Sequence, residues 1–106
     1  MKAGNKMKYS HLFSDPKPGQ LAVGDGWLPT LYDFLDKCDK HSKKIQIAQI
    51  KEKFGQARIY ADNTDEYLGN LIKETVHKLN NTCEVCGNPG QLSYKNWIRT
   101  VCKEHV

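Results

Sequence analysis

The chain has 106 residues, 39% of them hydrophobic and 26% charged, with a formal net charge of +4. That length supports one small core that would gain from a staple, and the modest positive charge permits nucleic-acid binding without demanding it. No apolar run approaches the roughly 20 residues of a membrane span, and Met1-Lys2-Ala3-Gly4-Asn5-Lys6 leads into no hydrophobic signal core, so a reducing, cytoplasmic location is expected.

Residues 1–26 read as an extended N-terminal arm with turns at Asp15-Pro16-Lys17-Pro18-Gly19 and Gly24-Asp25-Gly26. Tyr9, Leu12, Phe13, Leu21 and Val23 are the apolar residues that would tack it to the domain. A disordered tail is the alternative for its first ten residues. A helix–hairpin–helix core is expected over residues 27–82. Its first helix opens near Trp27-Leu28-Pro29, where a proline in the first turn loses no hydrogen bond. Leu28, Leu31, Leu35 and Cys38 recur at helical spacing, which places Cys38 on the buried stripe as an inert thiol.

Ile45 to Ala61 is rich in β-branched and aromatic residues and reads as a hairpin turning at Phe54-Gly55. A two-residue loop there sets Lys53 against Gln56, Lys51 against Arg58 and Ile50 against Ile59. Ala48, Ile50, Ala57, Ile59 and Ala61 then share the core face, and Gln49, Lys51, Lys53, Arg58 and Tyr60 the outer one. Directly opposed Lys51 and Arg58 repel; a ligand phosphate, a partner carboxylate or simply water and salt could lie between them. The second helix runs from about Thr64 to Leu79, capped by Asn63 or Thr64. Tyr67, Leu68, Leu71, Ile72, Thr75, Val76 and Leu79 form its apolar face, and Gly69 would allow close packing on the hairpin.

Residues 83–106 carry metal-ligand spacing. Cys83 and Cys86 are separated by two residues, a fifteen-residue insert follows, and Cys102 and His105 are again separated by two. Asn88-Pro89-Gly90 makes a turn, Gln91 to Tyr94 a short strand, Lys95-Asn96 a reversal and Trp97 to Val101 the return strand. This is the layout of a zinc ribbon in an α+β fold. Three thiolates and one imidazole fill a tetrahedron, so the expected Zn2+ is structural, not catalytic. A redox dithiol at Cys83 and Cys86 would leave Cys102 and His105 unexplained.

Three stretches resemble a group of small uncharacterised bacterial and phage proteins. These are Gly26-Trp27, the hairpin Gln49-Ile50-Lys51-Glu52-Lys53-Phe54-Gly55-Gln56-Ala57-Arg58-Ile59-Tyr60, and an ending that runs from Cys83 to Gly90 and from Trp97 to His105. In that group they read as Gly-Trp, Q-x-K-E-K-F-G-x-x-R-x-Y and C-E-x-C-G-x-P-G…W-x-x-T-x-C-x-x-H. The resemblance covers roughly residues 24–106 and supports the metal reading, but it implies no activity. The expected function is a non-enzymatic zinc-ribbon protein that binds and modulates or inhibits a host protein complex, such as a defence system. Phe54 and Trp97 are the candidate anchors. The alternative is a nucleic-acid or phosphate-ligand module in which Lys51, Lys53 and Arg58 meet phosphate, helped by Lys43 and Lys44, while Tyr60, Trp97 or Phe54 stacks on a base.

Overall fold

The computed structural model describes residues 9–14, 21–95 and 97–106. The first eight residues, the turn at Asp15 to Gly19 and Asn96 of the expected reversal lie outside the described residues. The fold is mixed α+β. A short 3-10 turn, Ser10–Leu12, precedes strand β1, Leu21–Ala22, and a second 3-10 turn, Asp25–Trp27, runs into helix α1, Leu28–Lys40. Strands β2, Gln46–Lys53, and β3, Gln56–Asp62, form the hairpin, followed by helix α2, Glu66–Leu79. Strands β4, Gln91–Ser93, and β5, Arg99–Val101, make a separate two-stranded sheet.

The first sheet has the order β1-β2-β3, with β1 parallel to β2 and β2 antiparallel to β3. Phe54 and Gly55 both sit at positive φ, 53° and 79°, as a two-residue hairpin turn matched to strand twist requires. The Glu52 carboxylate accepts a hydrogen bond from the Gly55 amide at 2.7 Å and clamps this turn. Lys53 therefore faces Gln56, Lys51 faces Arg58 and Ile50 faces Ile59, as the two-residue loop predicts. Farther from the turn the ladder slips between Ile47 and Gln49, leaving Ala48 as the extra residue of a bulge. The slip reverses side-chain parity, so Ile47 is buried and Ala48, expected on the core face, is exposed.

The core collects under this sheet. From α1 come Leu28, Leu31, Tyr32, Phe34, Leu35 and Cys38, and from the hairpin Ile45, Ile47, Ile50 and Ala57. Helix α2 contributes Leu68, Leu71 and Leu79. On the outer side of α1, Asp33 pairs with Lys37 at 3.1 Å and Asp36 with Lys40 at 3.0 Å. The described parts of the arm are built into the structure: Tyr9 and Leu12 are buried, Phe13 bridges to Ile47, and the Ser14 amide donates to the Ile47 carbonyl at 2.8 Å.

Three details of α2 differ from expectation. Its cap is Asp65, whose carboxylate accepts the Leu68 amide at 2.9 Å, because Asn63 takes a left-handed turn at φ 58° and the helix starts later. Tyr67 lies outside the apolar face, exposed and stacked on His41 with ring centroids 4.4 Å apart. A Cβ added at Gly69 would meet nothing within 4 Å, so this glycine makes no close contact with the hairpin. Gly69→Ala should therefore raise the free energy of unfolding by about 1 kcal/mol, the helix-propensity difference. Urea denaturation of the two proteins checks this, and a destabilised variant would show that the site is crowded after all.

Candidate functional site

The candidate metal centre begins where α2 ends. Leu79 anchors the last turn in the core, the Asn81 and Thr82 amides close back onto Lys78 and Leu79, and the chain enters Cys83 with no intervening linker. The first knuckle folds because the Cys83 amide donates to the Asn88 carbonyl at 2.7 Å and the Gly87 amide to the Cys83 carbonyl at 2.9 Å. Strands β4 and β5 pair Gln91 with Val101, Leu92 with Thr100 and Ser93 with Arg99, carrying the chain back to Cys102. A second turn, closed by the His105 amide on the Cys102 carbonyl at 3.0 Å, presents the imidazole. The Arg99 guanidinium holds that turn through the His105 carbonyl at 2.7 Å.

These elements bring together the four residues that the spacing singles out. The ligand atoms of Cys83, Cys86, Cys102 and His105 all lie within 4.8 Å of one another, a group that could hold a metal ion. Cys86 Sγ and Cys102 Sγ are 3.7 Å apart, Cys83 Sγ and His105 Nδ1 3.6 Å, and Cys102 Sγ and His105 Nδ1 3.2 Å. A tetrahedral ion with bonds of about 2.3 Å to sulfur and about 2.0–2.1 Å to nitrogen has edges of about 3.8 and about 3.5 Å. The first two separations match those edges closely, and the sulfurs are far from the roughly 2.05 Å of a disulfide. The Cys102–His105 separation is shorter than the sulfur–nitrogen edge, and the four residues together are compatible with such an ion.

The thiols of the cluster differ in their electrostatics. Burial pushes the Cys83 thiol up, but backbone amides of Cys102, Cys86 and Val85 donate to its sulfur and together bring it down to about 6. The Asn88 amide favours the Cys86 thiolate, yet burial and the neighbouring sulfurs of Cys83 and Cys102 outweigh it and raise that thiol. Crowded thiolates repel one another until a cation lies between them.

Sequence reasoning missed how the Cys/His cluster is joined to the core. The Gly26 amide donates to the Glu84 carbonyl at 2.8 Å, the Gly24 amide to the Glu84 carboxylate at 2.8 Å, and the Trp27 indole to the Thr82 carbonyl at 2.8 Å. A Cβ at Gly26 would lie 2.2 Å from the Cys83 carbonyl oxygen and 2.6 Å from the Gly87 nitrogen. The available signal was Gly24-Asp25-Gly26-Trp27, two glycines directly before a large aromatic. The hairpin turn makes the second joint: Thr100 Oγ1 donates to the Gly55 carbonyl at 2.5 Å. Burial raises the Glu84 carboxyl above its usual range, against the Gly24 hydrogen bond.

The candidate partner residues fall into two places. Lys51, Lys53, Arg58 and Tyr60 share the outer face of the hairpin, with Lys51 Nζ 5.6 Å from the Tyr60 ring centre. Phe54 projects from the turn with Lys53 Nζ 5.9 Å from its ring centre. Trp97 lies instead on the rim of a cleft of about 340 Å³ between core and β4–β5, lined also by Asp25, Glu52, Glu84 and Arg99. Arg99 packs over its ring at 5.2 Å. No helix among the described residues is long and apolar enough to cross a membrane. Comparison of the chain with protein-family models, curated proteins and solved structures found no match.

Two outcomes are expected. With the ion bound, Cys83, Cys86 and Cys102 should react slowly with a disulfide-exchange reagent, and chelation should release all three. Cys38, whose thiol burial pushes up to about 12, should stay silent until the protein unfolds. Equal thiol reactivity before and after chelation would show that the sulfurs hold no ion. Gly26→Ala should cost about 1–3 kcal/mol by overpacking, read as a lower urea midpoint, whereas a neutral result would mean that the joint is loose.

Proposed function

We propose that the chain is a zinc-ribbon binding module without enzymatic activity, in which Zn2+ serves structure and the surface near the joint engages a protein that it modulates or inhibits. The donor set supports zinc: three thiolates and an imidazole make a closed tetrahedron that leaves no position for substrate. Loading changes the formal charge from +4 to +3, since three thiolates remove three charges and the ion adds two. That value is low for a dedicated polyanion binder.

The observation that carries the protein-partner reading is the exposure of Phe54 and Trp97, at 65% and 66%. A ring at a hairpin tip often folds back onto its own core, but both of these stand exposed, Phe54 next to Gly55 and Trp97 two residues before Arg99, which Gly55 approaches. Large aromatics left open in this way are the residues that dominate interface energetics. A second reading, single-stranded nucleic acid, is favoured by one feature. Tyr60, 44% exposed, stands among Lys51, Lys53 and Arg58 as a base-stacking platform would.

Affinity capture from host lysate, with and without nuclease, tests the first reading. A partner that survives nuclease and added salt, and is lost with the Phe54→Ala/Trp97→Ala double variant, is the expected result. Capture that vanishes with nuclease, or that fades steeply with salt, would replace it with the second.

A further inference from the structure

We propose that the outer face of the β2–β3 hairpin is an anion-binding subsite centred between Lys51 and Arg58, and that it receives the acidic side chains of an extended segment of a protein partner. This rests on the protein-partner reading and names the chemistry of the segment.

The ladder sets Lys51 directly opposite Arg58. Directly opposed residues have Cβ atoms about 4.5–5.5 Å apart, and like charges at that spacing destabilise a sheet. Both side chains are half-buried, which weakens the screening that water provides. Among the described residues neither forms a hydrogen bond or ion pair with a carboxylate, and Lys53 on the same face forms none either. On the other side of Lys51 its neighbour across the sheet is Ala22, which carries no charge. The nearest acidic residue along the strand, Glu52, points to the opposite face by strand alternation, and its carboxylate is bound to the Gly55 amide.

The dimensions suit a peptide. Lys51 and Lys53 stand about 7 Å apart along one face of their strand, the same repeat at which alternate side chains of an extended partner segment recur. Tyr60, half-exposed beside Lys51, offers a ring for an apolar residue of that segment. The patch gathers three cations, Lys51, Lys53 and Arg58, on one hairpin face of a chain whose net charge is only +4, which suits a short acidic segment better than a long polyanion.

Fluorescence anisotropy of the zinc-loaded protein tests this with three labelled probes: a short peptide alternating Glu and Val, its Gln-for-Glu counterpart, and a short oligothymidylate. The Glu peptide should bind, and the Gln peptide should bind about tenfold more weakly or worse, the loss expected for charge-assisted hydrogen bonds. Arg58→Glu separates binding from folding. It places opposite charges across the ladder, so the thermal midpoint should hold or rise while affinity for the Glu peptide falls about tenfold or more. Lys51→Arg should retain binding. Equal binding of the Glu peptide by wild type and Arg58→Glu would overturn the subsite, as would no preference for Glu over Gln. Oligothymidylate binding more tightly than the Glu peptide would overturn the choice of occupant. Captured protein with an indifferent Glu peptide would remove only this subsite, whereas Arg58-dependent peptide binding with no captured protein would support the subsite and count against the partner reading.

Discussion

The contact on which the architecture turns is backbone against backbone. The segment at Gly24 to Trp27 lies directly on the first knuckle, with the Gly26 amide on the Glu84 carbonyl and no room for a side chain between them. Two chain segments approach this closely only where one lacks a Cβ. Trp27, fully buried, fixes the segment from the core side, and its indole nitrogen reaches the Thr82 carbonyl, one residue before Cys83. The Cys/His cluster is therefore coupled to α1 through a rigid contact, not a linker.

A second joint repeats the strategy from the other side. Gly55 completes the hairpin turn and also lies against β5, where an added Cβ would fall 2.9 Å from the Arg99 Cα. The same residue thus answers to two constraints, positive φ and close approach. Its neighbour Phe54 takes the other positive-φ position, unusual for a bulky residue. The Glu52 clamp and the Thr100 hydroxyl on the Gly55 carbonyl hold that turn in place, and the ring is left in solvent. The order of β4–β5 and the geometry of the hairpin tip are consequently linked.

Charge is segregated around this joint. Strand alternation puts Lys51 and Lys53 on one face and Glu52 on the other, so the hairpin separates a basic surface from a cleft holding Asp25, Glu52 and Glu84. Arg99 spans the cleft and the Cys/His cluster, packing on Trp97 while its guanidinium ties down the carbonyl of His105.

Local patterns carried much of this in advance. The spacing of Cys83, Cys86, Cys102 and His105 identifies the cluster because two-residue separations within each pair set the turn geometry by themselves. The Phe54-Gly55 loop sets the register near the turn for the same reason, and the stripe Leu28, Leu31, Leu35, Cys38 follows from helical period alone. Tertiary structure decided the rest. The bulge at Ala48, the parallel pairing of Leu21 with Ile50 and the position of Tyr67 against His41 each depend on groups distant in the chain. The docking of Gly24 and Gly26 on Glu84 is the clearest case. Sequence shows two glycines beside a tryptophan, but their need to be glycine comes from a backbone some sixty residues away. Periodicity and spacing report on neighbours along the chain, whereas steric exclusion between remote segments exists only once the chain has folded.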